Sequence, residues 1–296
     1  MMYDLVIVGS GLYGAVSAYL AHKRGLRCIV LERRSAIGGN VRDELQEGIH
    51  VHKYGPHIFH TNNKEVWDFA NKFAEFNHFR YCPLVRSGKR LYDLPFNIKT
   101  FYEVYGVKTL QEAKMQFQKE QENEFYEHPI NLEQQTVSLV GRKFYDLLIK
   151  DYIEKQWGKK ASELPASYIN KLPLKVRHNN NYFNDRYQGI PIGGYSSWIK
   201  KMLDGIEVRL NTDFIETKDY WENQSKQIIY TGAIDEFYDY KLGALEYRSL
   251  RFEEKLYHTD DYQGCATVNE ISPDIPYTRS IEHKHFESGR QPVTIV

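Results

Sequence analysis

Three glycines and one acidic residue near the start of the chain have the spacing of a dinucleotide-binding motif. Gly9, Gly11 and Gly14 form the pattern G-x-G-x-x-G, and Glu32 follows where a ribose-binding acid is expected. Gly9 allows a tight turn, Gly11 lets a pyrophosphate approach the backbone, and Gly14 lets the next helix pack against the strand. We expect Glu32 to bind the ribose hydroxyls and to repel a 2′-phosphate, which disfavours NADP. NADP stays an alternative, however, because the neighbouring Arg33 could bind a 2′-phosphate.

A second glycine pair narrows the choice of cofactor. Gly38 and Gly39 precede Asn40, a few residues after the ribose-binding acid. Such a pair suits a chain that passes close to the pyrophosphate of an extended FAD, whereas a nicotinamide-dependent dehydrogenase has no obvious need for it. The first glycine pattern alone would also suit a glycine-rich turn in any α/β protein. The two patterns together favour FAD.

These residues need a strand, a helix and a second strand to position them, and the sequence predicts all three. Residues 3–8 and 27–31 are short apolar runs typical of buried parallel strands, and helical periodicity lies between them. We therefore predict an α/β fold with a Rossmann-like FAD-binding domain, an inserted helical domain and an antiparallel β-sheet substrate domain. The expected boundaries are 1–80 and 186–240 for the FAD-binding domain, 81–185 for the helical domain with a mobile loop at 171–186, and 241–296 for the sheet domain.

Other reactive side chains give weaker signals. His57 and His60 are three residues apart, but no third acidic or cysteine ligand lies near them, so we predict no metal site. His283 and His285 alternate on a predicted strand and share one face. The chain has 3 cysteines, widely separated and outside any C-x-x-C motif, so neither disulfides nor a zinc framework is expected.

Composition fits a cytoplasmic enzyme. The 296 residues are 42% hydrophobic, enough for a sizeable core, and 39 basic residues balance 39 acidic ones. A net charge of zero gives no electrostatic reason to bind nucleic acid or an anionic membrane. The sequence contains no signal-peptide pattern and no apolar stretch long enough to span a membrane.

Several longer motifs carry a specific resemblance. VGSGLYGAV, ERRSAIGGN, HKYGPHIFHT, EKQWG, NNNYFNDRYQGIPIGGY, GALEYRSL and PYTRSIEHKHF occur in the order and spacing of the bacterial UDP-galactopyranose mutases, which this chain resembles over nearly its whole length. The resemblance implies an isomerase that interconverts UDP-galactopyranose and UDP-galactofuranose, a sugar of cell-surface polysaccharides. It also implies FAD, active in its reduced form, with the flavin N5 atom as the nucleophile on the anomeric carbon.

The resemblance also assigns roles to individual residues. Besides the motif glycines, which include Gly39, the expected FAD contacts are Tyr13, Glu32, Asn40, His57, Ile58 and Phe214. The residues expected beside the reacting atoms are His57, His60, Trp157 and Arg248. The expected contacts of UDP-galactose or UDP-galactofuranose are Tyr81, Ile153, Trp157, Lys171, Tyr182, Asn269 and Arg279. Without the resemblance, core packing would be the default role for Trp157.

The chain departs from the family pattern at several positions. Lys171 and Lys175 stand where arginines are expected, and lysine keeps the charge but loses the bidentate fork, so Arg177 is an alternative phosphate ligand. Tyr81 occupies the place of a small amide. Relatives continue beyond Val296 with a further FAD-binding segment, so we expect this form to bind FAD weakly and to have little activity. The sequence leaves open whether the protein forms a homodimer.

Two other functions stay open beside the mutase. An amine-oxidase-like FAD oxidoreductase would share the first 40 residues but not EKQWG or NNNYFNDRYQG. A catalytically inactive fragment that binds nucleotide sugars would keep the substrate motifs without turnover.

Overall fold

The computed structural model describes residues 2–169 and 177–296, which form two compact units. Unit 1 comprises the chain up to Phe79 together with Asp185–His258 and Phe286–Ile295. Unit 2 comprises Arg80–Asn184 and Thr259–His285. Lys171, a predicted substrate contact, and Lys175 lie outside the described residues.

The strands and helices of the described residues are numbered in chain order. The strands are β1 (Tyr3–Val8), β2 (Cys28–Leu31), β3 (Asp43–Gln46), β4 (Ile49–His52), β5 (Phe59–Thr61), β6 (Leu84–Ser87), β7 (Arg90–Asp93), β8 (Tyr187–Gly189), β9 (Glu207–Arg209), β10 (Ser225–Tyr230), β11 (Leu256–Tyr257), β12 (Thr267–Glu270), β13 (Arg279–Ile281) and β14 (Thr294–Ile295). The helices are α1 (Leu12–Lys23), α2 (Lys64–Ala70), α3 (Ile98–Tyr105), α4 (Leu110–Asn123), α5 (Leu132–Val140), α6 (Arg142–Leu148), α7 (Lys150–Trp157), α8 (Tyr195–Met202), α9 (Lys218–Gln224) and α10 (Ile234–Phe237).

Unit 1 is built on a parallel sheet in the order β10-β1-β2-β9. The two central strands, β1 and β2, are rich in β-branched residues, and most of their side chains are buried, as expected of parallel strands that are covered on both faces. The succession β1, α1, β2 confirms the predicted Rossmann-like α/β fold. The apolar run at residues 228–230 predicts a strand. In the structure this run is the end of β10, which begins earlier, at Ser225.

Asp43, at the start of β3, fixes the N-terminus of α8. Its carboxylate accepts hydrogen bonds from the backbone N–H groups of Tyr195, at 2.6 Å, and Ser196, at 2.9 Å. The hydroxyl of Ser196 in turn donates to the backbone carbonyl of Asp43 at 2.8 Å. Because the first N–H groups of a helix have no partner within the helix, a buried carboxylate stabilises them strongly.

Unit 2 combines a mixed sheet with a helical cluster. The sheet has the order β13-β12-β6-β7, in which β12 pairs parallel with β6 and antiparallel with β13. Helices α3 to α7 surround a core whose largest buried members are aromatic and aliphatic, among them Phe101, Leu132, Phe144 and Tyr145. Apolar residues spaced three and four apart predict helices within residues 98–157. The structure confirms these helices and divides them by more breaks than the spacing indicated.

The structure differs from the sequence prediction in three places. The helical spacing of apolar residues over 63–76 predicts a longer helix than α2, which ends at Ala70, where the side chain of Asn71 donates to the carbonyl of Trp67 and closes the last turn. His283 and His285 lie in a short 3-10 helix, His283–Glu287, rather than on a strand. The sheet domain predicted over 241–296 is divided, because β11 and β14 pair within unit 1 whereas β12 and β13 belong to unit 2.

Among the described residues, no helix combines the length and the hydropathy needed to cross a membrane.

Candidate functional site

A cleft of about 460 Å³ in unit 1 lies over the glycine-rich turn that follows β1. It brings together most of the residues predicted to bind the cofactor, namely Gly9, Gly11, Tyr13, Gly14, Glu32, Gly39, Asn40 and Phe214. The late segment after β10 completes its lining with Thr231 and Gly232. The cleft is therefore assembled from both ends of unit 1, as a nucleotide-binding fold requires.

The glycines of the cleft are held so closely that side chains would not fit. A Cβ on Gly14 would lie 1.9 Å from the carbonyl oxygen of Gly9, so the start of α1 packs directly on the turn. A Cβ on Gly39 would lie 2.7 Å from the Cα of Gly11. The backbone of the second glycine pair thus packs directly against the backbone of the first glycine motif. Because neither has a side chain at the contact, the floor of the cleft is free for a phosphate group.

The N-terminus of α1 opens into this cleft. Its N-cap residue is Gly11, whose lack of a side chain leaves the first amides uncapped, and no acidic residue occupies the first turn. Free N–H groups at the N-terminus of a helix carry a partial positive charge and bind anions readily. This geometry suits the pyrophosphate of a dinucleotide.

The carboxylate of Glu32 is buried and already oriented. It accepts hydrogen bonds from the backbone N–H of Ser10 at 3.0 Å, the hydroxyl of Ser10 at 2.6 Å and the backbone N–H of Arg34 at 2.9 Å. A carboxylate offers about four acceptor positions, so one stays available for a ribose hydroxyl. The predicted ribose-binding acid therefore also ties the end of β2 to the glycine turn.

His57 supplies an independent sign of a ligand. Its Nε2 atom is buried and has no hydrogen-bond partner in the described part of the chain. Buried polar atoms normally have a partner, which a bound cofactor or a water molecule would provide. Burial lowers the pKa of His57, against the opposing effect of hydrogen bonds with the backbone of Asn40 and Tyr54, so the imidazole is neutral at pH 7.

His57 itself and the remaining residues predicted near the flavin are not among the residues that line the cleft. Ile58 is half-buried beside His57, and Arg248 lies in an exposed segment, 241–250. His60, on β5, has its Nδ1 atom 2.6 Å from a carboxylate oxygen of Asp185. Their predicted roles in cofactor binding or catalysis stay predictions.

Unit 2 contains a second candidate site around Arg279, the first residue of β13. Its Nε atom donates to the side-chain oxygen of Asn269 at 2.8 Å, and one terminal nitrogen donates to the hydroxyl of Tyr152 at 3.3 Å. Since a guanidinium has five N–H groups, these two bonds leave others for an anion. Asn269, the neighbour of Arg279 across β12 and β13, is itself anchored to the carbonyl of Leu84.

Two predicted substrate contacts, Tyr81 and Tyr182, belong to the same cluster. Their rings lie 5.6 Å apart, and the backbone N–H of Tyr182 donates to the carbonyl of Tyr81 at 2.7 Å. Burial raises the pKa of Tyr81, although the nearby charge of Arg279 lowers it, so the phenol is neutral at pH 7. The site thus combines one fixed cation with phenol hydroxyl groups, which suits a diphosphate.

Helix α7 carries two of the predicted substrate contacts, Ile153 and Trp157. Ile153 is only 6% exposed and packs in the hydrophobic core of unit 2, and its contact with the substrate stays a prediction. Trp157 is half-buried, and its ring lies 4.8 Å from that of Tyr168. Tyr152, which bonds Arg279, was not predicted, because its position on an amphipathic helix gives no sign of a partner 127 residues further along the chain.

A group of possible metal ligands occurs in unit 2 and includes His285. Carboxylate or imidazole atoms of Asp261, Glu282 and His285 lie within 4.8 Å of one another. Both carboxylate oxygens of Glu282, however, accept backbone N–H bonds, from Tyr262 at 2.9 Å and from Gln263 at 2.8 Å. We interpret the group as a cap for the turn before β12.

Comparison with known proteins agrees with this geometry. A family model described as UDP-galactopyranose mutase matches residues 147–296, and one described as an NAD(P)-binding Rossmann-like domain matches residues 7–73. The dTDP-fucopyranose mutase of Escherichia coli is 36% identical over 96% of this chain and 78% of that protein. A protein of Klebsiella pneumoniae named "Probable UDP-galactopyranose mutase" is also 36% identical, over 96% of this chain and 74% of that protein.

A solved structure gives the same result for the fold. The crystal structure of a reduced UDP-galactopyranose mutase superposes with a TM-score of 0.65, covering 99% of this chain and 73% of the other, at 15% sequence identity. At that identity the similarity concerns the fold alone.

Proposed function

The chain belongs to the UDP-galactopyranose mutase family, and from this premise we propose that it is an isomerase that interconverts UDP-galactopyranose and UDP-galactofuranose with bound FAD. The observation that carries the proposal is the Arg279 cluster, because its guanidinium is fixed by Asn269 and Tyr152 and keeps N–H groups for a diphosphate. The nucleotide cleft of unit 1 supports it independently. We further propose that the protein is cytoplasmic and supplies galactofuranose for polysaccharides.

FAD suits the cleft better than NADP. Glu32 presents a buried carboxylate where NADP would carry its 2′-phosphate, and this position repels a dianion. The contact between Gly11 and Gly39 and the uncapped start of α1 would hold the pyrophosphate. His57 would offer its unpaired Nε2 atom to the cofactor.

The chemistry divides between the cofactor and the chain. When bound in its reduced form, FAD supplies a nucleophilic nitrogen, N5, for the anomeric carbon of the sugar. Arg279 binds the diphosphate and stabilises the negative charge that develops on UDP as its bond to the sugar breaks. The hydroxyls of Tyr81, Tyr152 and Tyr182 orient the same diphosphate by hydrogen bonds, and Trp157 packs on the nucleotide or the sugar.

The similarity to the protein from Escherichia coli indicates a second candidate substrate, a dTDP-linked fucose. That protein is named a dTDP-fucopyranose mutase and is as similar to this chain as the Klebsiella pneumoniae protein. Fucose lacks the C6 hydroxyl of galactose, and a site that hydrogen-bonds a hydroxyl rejects an analogue without it by about 10⁴- to 10⁵-fold. The ratio of kcat/KM for the two nucleotide sugars therefore identifies the substrate.

The proposal is tested by turnover. The purified protein is incubated with UDP-galactofuranose or dTDP-fucofuranose, with and without dithionite, and the sugars are separated chromatographically. We expect slow isomerisation of one of them, only after reduction and in the presence of excess FAD, because the sequence predicts weak FAD binding and little activity for this form. Arg279→Ala should keep the flavin and lose about 100-fold in kcat/KM, the typical cost of removing a group that stabilises developing charge.

Other outcomes would identify the alternative functions. Consumption of dioxygen with an amine, without isomerisation, would indicate an oxidoreductase related to amine oxidases. Binding of UDP without conversion of either sugar, in protein with a full complement of reduced flavin, would indicate a nucleotide-sugar binding protein. Protein that retains no flavin after reconstitution would contradict the assignment of the cleft.

A further inference from the structure

Lys155 makes an unusual set of contacts in unit 2. Its Nζ atom donates to the backbone carbonyls of Ser272 at 2.9 Å, Ile275 at 3.3 Å and Tyr277 at 2.9 Å. An ammonium group has three N–H donors, so all of them are used. The carbonyls belong to the connection between β12 and β13, which ends immediately before Arg279.

The same helix holds Arg279 directly. Tyr152 lies three residues before Lys155 on α7, a spacing that places both side chains on one helix face. Its hydroxyl accepts a hydrogen bond from the guanidinium of Arg279 at 3.3 Å. One face of α7 therefore holds both the connection and the first residue of the strand that follows it.

The remaining structure of the connection gives it little internal support. Within it, the backbone N–H of Ile275 donates to the carbonyl of Ser272, and the backbone N–H of Asp274 donates to the hydroxyl of Ser272. Two prolines, Pro273 and Pro276, remove backbone donors.

The two ends of the connection are held by neighbouring strands, because the backbone N–H of Ile271 donates to the carbonyl of Arg86 and the carbonyl of Thr278 accepts from the backbone N–H of Glu270. The bonds from Lys155 thus account for much of what fixes the middle of the connection.

We propose that Lys155 is a positioning residue for Arg279, holding the β12–β13 connection on α7 so that the guanidinium is oriented before the diphosphate binds. The proposal rests on the proposed function of Arg279 in binding a diphosphate. Lys155 itself has no donor left for a ligand, so it acts through Arg279 rather than on the substrate. Preorganisation of this kind increases affinity because the ordering cost is met during folding.

The experiment has two parts, each with Lys155→Met and the control Lys160→Met. Lys160 is an exposed lysine just beyond α7, so its replacement removes a charge without touching the connection. In the first part, hydrogen–deuterium exchange of the ligand-free protein is measured over residues 271–279. We expect exchange several-fold faster in Lys155→Met and unchanged in the control, and unchanged exchange in both variants would overturn the proposal.

The second part is a double-mutant cycle on UDP affinity, measured by calorimetry in the presence and absence of Arg279→Ala. We expect Lys155→Met to weaken UDP binding about tenfold when Arg279 is present, equal to about 1.4 kcal/mol, and by less than twofold when it is absent. An equal loss in both backgrounds would show that Lys155 does not act through Arg279. Should Lys155→Met fail to fold, Lys155→Gln, which keeps an N–H donor pair, takes its place.

Failure of the proposed function is distinguishable from failure of this inference. If the unmodified protein does not bind UDP, the assignment of the Arg279 site is wrong, whereas the exchange measurement still decides whether Lys155 fixes the connection.

Discussion

Replacing Gly39 by alanine tests whether the contact between the two glycine motifs builds the nucleotide cleft. Gly39 has a φ of +54°, in the left-handed region, and its Cβ would lie 2.7 Å from the Cα of Gly11. The left-handed conformation costs an alanine about 1–2 kcal/mol. Forcing an extra carbon against fixed backbone adds about 1–3 kcal/mol.

Gly25 provides a matched control. It also has a left-handed φ, +76°, but nothing lies within 4 Å of its Cβ position. Gly25→Ala should therefore lose only the conformational part, about 1–2 kcal/mol. The difference between the two variants isolates the contact with Gly11, which we expect to be about 1–3 kcal/mol.

The assay is urea unfolding of both variants at a fixed pH, together with flavin absorbance per protein after reconstitution. We expect Gly39→Ala to be the less stable variant and to lose most of its flavin, because Gly11 is displaced from the floor of the cleft. Gly25→Ala should retain the flavin. Equal unfolding free energies and equal flavin contents in the two variants would refute the reasoning.

Three further predictions concern other parts of the molecule. Asp43→Ala leaves the first turn of α8 uncapped and should lower the free energy of unfolding by about 2 kcal/mol, as measured in urea. The carboxylate of Glu287, 2.8 Å from the Nδ1 atom of His50, raises the pKa of His50 against the effect of burial, so the stabilising contribution of this ion pair is complete below about pH 6.5 and is lost as the pH rises through the folded-state pKa. The difference in melting temperature between the native protein and His50→Gln should therefore shrink between pH 6 and pH 9. Trp157→Ala should keep the flavin but weaken UDP binding by about 1–3 kcal/mol, the contribution of a stacked aromatic.

Each of these predictions has a clear contrary result. A change at Asp43 no larger than that of Asp68→Ala, an exposed ion-pair partner of Lys64, would mean that the helix cap contributes nothing. A melting-temperature difference that grows with pH would reverse the sign argued for His50. Unchanged calorimetric affinity for UDP would assign Trp157 to packing against Tyr168 alone.

The nucleotide-binding half of the molecule was predictable because its signals are local. The strand, the glycine turn and the helix are adjacent in sequence, and the glycines are required by backbone contacts that the structure confirms. The bonds of Glu32 with Ser10 were not predictable, since a carboxylate at the end of a strand can face a ribose, the turn or both.

The second site was harder to predict because its geometry depends on distant pairings. In the sequence, Tyr152 and Lys155 are indistinguishable from other polar positions of an amphipathic helix. Only the packing of α7 against the β12–β13 connection and Arg279 gives them partners. Ile153 shows a related ambiguity, because the helical spacing that links it to Trp157 suits a pocket residue and also a core residue, and in the structure it packs in the core of unit 2. His283 and His285 were placed on a strand because alternation over a few residues does not distinguish a strand from a 3-10 turn.

The order of strands in unit 1 has a consequence for biosynthesis. β1 leaves the ribosome first, but one of its two neighbours, β10, begins only at Ser225. At translation rates of roughly 5–20 residues per second, about 10–40 s pass before that neighbour is synthesised. For most of this interval both edges of the nascent β1–β2 pair lack their partner strands from unit 1, because β9 also begins late, at Glu207, so we expect the N-terminal segment to be a client for chaperones that bind emerging chains. The slow step in producing this protein should therefore be completion of the first sheet rather than formation of the helices, whose contacts are short in sequence.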